Sequence, residues 1–285
     1  GDGDTGDGDG DTGDGDGDTG DGDGDTGDGD GDTGDGDGDT GDGDGDTGDG
    51  DGDTGDGDGD GEELIELELL AEDFNGLPSA NGTSDVATFQ AALPNWALYN
   101  SNDNRHISHG NSNTGAIYSF GVNGDSDRAL GGVASGGTDT QGFGVCITNE
   151  TAADYEDVMV TYVGEQWRNG GNETAQALSF AYTTNADVAT NLQVGTTVID
   201  ASGADPSMGW FDFPSLDFTG PIHSADALAL DGHAAENQAA ISEIISGLVV
   251  PAGGVLCIRW LDPDDGGTDH GLGIDDLVVT AMTTP

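Results

Sequence analysis

Along residues 62–285, short apolar runs rich in β-branched and aromatic side chains alternate with Gly, Asn, Asp and Ser turns. "GAIYSFGV", "VMVTYVG", "ALSFAYTT", "LQVGTTVI", "GVLCIRWL" and "IDDLVVTAM" each read as a strand. In "EELIELELLAEDF", Ile65, Leu67 and Leu69 alternate with Glu66 and Glu68, the period-two pattern of a half-buried strand. That run is longer than a usual strand. It reads as two short strands, or as one strand overhanging its sheet. A sharper reading has residues 62–74 adding to the sheet edge of a neighbouring subunit. Only "SADALALDGHAAENQAAISEIISG" hints at a helix, or at a loop with one turn. The pattern predicts an all-β fold, a jelly-roll β-sandwich occupying residues 62–285.

Residues 1–61 carry no such pattern. They contain only Gly, Asp and Thr, and Thr recurs every seventh residue through Thr5, Thr12 and Thr19. A coiled coil is excluded, because its seam needs apolar a and d positions. A Ca2+-binding β-roll is excluded too, because each of its repeats fills the interior with an apolar residue. The period therefore predicts an extended or looped chain without a core of its own. In an extended chain Asp7, Asp9 and Asp11 share one side, spaced about 6.6 Å apart. Asp14, Asp16 and Asp18 then fall on the other. Ca2+ takes about six to eight oxygens from carboxylates, carbonyls and water, and each period offers several. Unaided, such a stretch is a polyanionic linker. Bound cations, attached glycans or neighbouring subunits would order it. Thr5, Thr12 and Thr19 are spaced regularly for O-glycans.

The core Asp7-Gly-Asp-Gly-Asp11 resembles the start of an EF-hand loop and of thrombospondin type 3 repeats. An EF-hand proper is excluded. Thr12 stands where that loop needs Gly, Asp18 stands where it needs a bidentate Glu, and the flanking helices are missing. The resemblance implies a looser string of Ca2+ sites. In the second part, "LLAEDFNGLP", "VTYVGEQWRNGGNETAQALSFAYTT" and "DGGTDHGLGIDDLVVTA" together resemble MAM-type jelly rolls of secreted bacterial multidomain proteins. That similarity spans residues 68–282. It implies that the first and last strands pair, and that Asp73, Asp275 and Asp276 hold a structural cation. It implies no fixed activity.

Charge narrows the partners. The chain has 58 acids, four arginines and no lysine, a formal charge of −54. Nucleic acid and anionic membrane are excluded as partners, since both are bound through Lys and Arg. Divalent cations are the natural partners. The most apolar late segment is interrupted by Glu243, Pro251 and Arg259, so no membrane span is expected. Cys146 and Cys257 sit in strand-like runs, either as two buried thiols or as one disulfide in an oxidising compartment. Sequons at Asn81, Asn149 and Asn172 make surface N-glycosylation an expectation. The chain opens inside a repeat period without Met, as a mature or partial sequence would.

Specific chemistry is thin. His106 and His109 read as polar loop residues rather than a metal pair, and His270 reads as a loop brace. Trp167, Trp210 and Trp260 read as core or as a sugar-stacking platform. Glu165 and Arg168 read as a structural ion pair more readily than as a catalytic acid and clamp. No Gly-x-Ser-x-Gly elbow, phosphate loop or HExxH motif occurs. The chain is not read as an enzyme. It is expected to be an extracellular or cell-surface protein: a self-assembling structural subunit of a filament or stalk, with a Ca2+-binding repeat and a sandwich head. The alternative is a carbohydrate-binding or adhesion module with the repeat as spacer. If Ca2+ orders the repeat, EDTA should raise its susceptibility to an Asp-directed protease. Unchanged protection in EDTA would sink that expectation.

Overall fold

The computed structural model describes residues 64–192 and 209–285. The repeat, with Asp7, Asp9, Asp11, Asp14, Asp16, Asp18, Thr5, Thr12 and Thr19, lies outside the described residues, as does most of "LQVGTTVI". In chain order the elements are β1 (Ile65–Glu72), β2 (Gly82–Ser84), α1 (Val86–Ala92), β3 (Trp96–Tyr99), β4 (Arg105–Ser108), β5 (Ala116–Phe120), β6 (Ala129–Val133) and β7 (Gln141–Thr148). There follow β8 (Tyr155–Asn169), β9 (Ala177–Thr183), α2 (Ala186–Asn191), β10 (Phe211–Asp212), β11 (Phe218–Thr219), β12 (Leu228–Ala229), β13 (Gln238–Val250), β14 (Val255–Asp262) and β15 (Gly271–Thr283).

The strands form two sheets. The first runs β12-β8-β15-β6-β5-β4-β2, with β13 also on β8 and β1 also on β15. The second runs β10-β9-β14-β7-β3, with β11 also on β9. Every pairing is antiparallel except β4 with β5. This is the all-β sandwich that the alternation predicts. The first and last strands do pair, from Ile65 opposite Thr283 to Glu72 opposite Leu277. That placement corrects the strand-addition reading of residues 62–74, because β1 is used in the sheet of its own chain. A second correction concerns the expected helix. Residues 238–250 are a strand, joined to β12 through a single 3-10 turn at Ala235–Asn237. Its Ala-rich sequence has modest helical preference, but ten residue pairs with β8 override it.

The core lies between the sheets and is centred on Trp260. That ring stacks near Trp96 and Phe143 at 6.5 and 6.1 Å, and meets Tyr162 and Phe180 edge-on at 5.3 and 5.2 Å. Tyr162 keeps its hydroxyl satisfied by donating to the Leu216 carbonyl at 2.6 Å. Trp96, Trp167, Trp210 and Trp260 are all buried, so no tryptophan platform faces solvent. On the outer side of the second sheet, Cys146 of β7 stands directly opposite Cys257 of β14, and the two form a disulfide. α2 and Trp210 pack beside them, with the Arg259 guanidinium 4.2 Å from the Trp210 ring centroid.

The cations are inside. Arg105, Arg128 and Arg259 are at most 2% exposed, and Arg168 is half-buried. Arg105, Arg168 and Arg259 lie within strands, and Arg128 immediately precedes β6. Trypsin needs an extended, accessible Arg or Lys bond. Native protein should therefore be cut about a thousandfold or more slowly than the unfolded chain, at a rate set by opening of the domain. Rapid native cleavage after Arg168 or Arg128 would contradict this placement.

Candidate functional site

At one end of the sandwich, four segments meet around a cavity of about 210 Å³. They are the β6–β7 turn (Ala134–Gly136), the end of β8 (Arg168, Gly170), the loop before β15 (Gly267–Asp269) and Asn113 between β4 and β5. Each is fixed locally. In the turn, the Thr138 and Asp139 amides both donate to the Ser135 carbonyl, at 2.8 and 2.9 Å. The loop before β15 is held by Asn172, whose amide donates to the Gly266 and Thr268 carbonyls, and by Gln176, which bonds Thr268 and His270. His270 is buried and accepts the Gly170 amide on Nδ1 at 3.0 Å. A Cβ on Gly170 would meet the Asp269 carbonyl at 2.2 Å, so only glycine lets this loop pack onto β8.

The groups left over face the cavity. Arg168 donates through one terminal nitrogen to the Gly110 carbonyl at 3.1 Å, and its buried Nε has no hydrogen-bond partner among the described residues. Asp269 accepts the Asp265 amide on Oδ1. Burial pushes its carboxyl up to about 6, helped by the charges of Asp264 and Asp265. The expected Glu165–Arg168 ion pair does not form. Glu165 instead accepts the Trp167 indole N–H at 2.8 Å. Among the described residues the one ion pair is His233 with Asp127, at 3.6 Å.

The acids assigned by resemblance to a structural cation are divided by a bulge. Asp276 has a φ of 48° where β15 shifts register against β8. Asp276 is thereby exposed, and with Glu72 and Asp73 it lines a groove of about 430 Å³. Asp275 is buried, and its like-charged neighbours include Glu165. Among the described residues no three His, Cys, Asp or Glu side chains are gathered to hold a metal ion. Asp73 and Asp276 share that groove, and Asp275 does not line it.

The sequons differ sharply. Asn81 is exposed, with its amide 2.9 Å from His109 Nδ1. Asn172 uses its amide to hold the site loop. Asn149 is fully buried and donates to the Ala153 and Val250 carbonyls, so a glycan has no space there in the folded domain. His106 lies against Tyr118, with ring centroids 5.4 Å apart.

No family model matches the chain, and no curated protein matches it. Solved structures with a partly similar course include the K3 cleaved adhesin domain of Lys-gingipain from Porphyromonas gingivalis w83. It is 14% identical with a TM-score of 0.35, over 76% of this chain and 99% of that one. TmCBM27, a carbohydrate-binding module with specific mannan recognition, is 12% identical with a TM-score of 0.37, over 76% and 98%. An arabinose-bound α-L-arabinofuranosidase, MgGH51, is 11% identical with a TM-score of 0.34, over 75% of this chain and 27% of that one. Likeness at this level carries nothing about what this chain binds.

The buried acids make stability depend on pH. Burial raises Glu165 to about 7 and Asp275 to about 8, and neighbouring acids add to both shifts. In the unfolded chain both return to the ordinary carboxyl range. Between those limits the folded state holds protons that the unfolded state has lost, so stability falls as pH rises from about 5 to about 8. The midpoint of urea unfolding should be higher at the acid end of that window. Glu165→Gln keeps the oxygen that the Trp167 indole needs and should flatten the fall. A midpoint that rises with pH would overturn the assignment.

Proposed function

We propose that the sandwich is an extracellular sugar-binding module whose site is the cavity between Arg168 and Asp269. One observation carries the reading: uncommitted polar groups of both kinds converge there from four segments. Arg168 offers N–H donors, Asp269 an acceptor oxygen, and Asn113 and Thr268 groups able to do both. Neighbouring hydroxyls on a sugar ring present alternating donors and acceptors, which such planar side chains bind in pairs. The cavity is smaller than the roughly 300–1,000 Å³ of drug-sized pockets, which suits one sugar residue rather than a long chain. The aromatic platform is replaced by a polar pocket. The Cys146–Cys257 disulfide fits an oxidising, extracellular compartment. The repeat then acts as a Ca2+-binding acidic spacer.

A glycan array tests the reading. Arg168→Ala should weaken binding about tenfold or more, since hydrogen bonds to charged groups contribute about 1.5–3 kcal/mol. Asn113→Ala removes an exposed side chain and should weaken binding without changing the unfolding midpoint. Binding of both variants equal to the parent's would eliminate this cavity as the site.

A further inference from the structure

The first sheet has one edge that is not defended. β13 is thirteen residues long, pairs with β8 on one side, and has no partner among the described residues on the other. Sheet edges are normally blunted by shortness, charge, proline or bulges. The remaining edge strands follow that rule. β2 has three residues, β3 four, and β10, β11 and β12 two each, while β1 carries Glu66, Glu68 and Glu72. β13 contains no proline and a single charge, Glu243, and it exposes Ile244 and Val249 to 49% and 48%. Its one bulge falls between Ile245 and Val249, which leaves Ala239–Ile245 in unbroken register with β8.

We propose that Ala239–Ile245 pairs antiparallel with the same segment of a second copy, extending the first sheet across a two-fold axis. Two physical arguments select a second copy. The first is charge. The domain has no fully exposed cation among the described residues, so copies repel wherever acids face each other. This stretch has one acid, and Met159, Thr161 and Val163 beside it on β8 have none. The second is the sequence itself, AAISEII. Matching side-chain faces across an antiparallel pair require the two-fold axis to pass through a residue, not between two. Centred on Glu243, the pair would set two carboxylates directly opposite, which is destabilising. Centred on Ser242, it sets Ala239 against the second copy's Ile245 and Ala240 against its Ile244, small against large. Ile241 then faces Glu243 of the other copy. An isologous pair of this kind closes as a dimer rather than growing into a fibre.

Sedimentation equilibrium of the full chain, across the micromolar range and in molar salt, should give a monomer–dimer equilibrium that salt strengthens. Ile244→Asp should weaken it by about tenfold or more, because both copies lose a cross-strand contact and gain a charge. Under mild oxidation Ser242→Cys should link to itself, since opposed strand residues meet the Cα spacing of a disulfide. Val122→Cys, also exposed but in a loop, is the background. A monomer at every concentration, or equal linking by the two cysteine variants, overturns the proposal. Stronger linking by a Glu243→Cys variant overturns the register.

Discussion

With 58 acids, four arginines and no lysine, the chain cannot balance its charge, and its arginines are too few to pair with more than a few of its acids. The arginines are used as internal donors. Arg128 bonds the Ser119 hydroxyl and the Ser119 and Val122 carbonyls, and Arg105 bonds the Leu98 and Asn104 carbonyls. None of these acceptors is a carboxylate. A guanidinium so placed ties loops to strands, and its bonds to neutral oxygens change little with outside salt. Cohesion then rests on what charge does not touch: the aromatic packing around Trp260, the ladder that joins first and last strands, and the disulfide between β7 and β14.

Acids that fold inward obey the same constraint. Asp262 is fully enclosed, and burial beside the charge of Asp269 raises its carboxyl well above the ordinary range, although Gln141 donates to it at 3.2 Å. Glu165 is treated alike by its burial and its acidic neighbours. Without a cation to pair with, a buried carboxyl in this domain lowers its cost by holding its proton. Neutrality therefore arises inside the fold at positions where another protein would place a salt bridge.

Much of this was legible in the sequence, and the failures have physical causes. Strand runs such as "GVLCIRWL" and the alternation of Ile65, Leu67 and Leu69 are local signals, and they mark β14 and β1 well. β13 was not legible, because Ala and Glu suit a helix until β8 is there to pair with. Spacing along "GEQWR" suggests an ion pair, yet Glu165 is taken up by the Trp167 indole and Arg168 by the Gly110 carbonyl, partners that the local sequence does not reveal. The cavity is not legible in the sequence as a site: Arg168 reads there as half of an ion pair and His270 as a loop brace, and Asn113 and Ser135 join them only through the topology. Asp275 and Asp276 looked like one feature and are separated by the left-handed turn of Asp276.

The field of the whole molecule also bears on the ligand. The sandwich itself carries far more acids than arginines, which lowers the local concentration of anions and slows their approach. One half-buried arginine beside Asp269 is a weak counterweight. A carboxylated or sulfated sugar would thus approach against the field and then meet a carboxyl of its own sign. A neutral sugar meets neither obstacle, and its hydroxyls use the arginine and the acid together. On the proposed sugar-binding reading, the acidity of the chain therefore favours uncharged sugars over anionic ones.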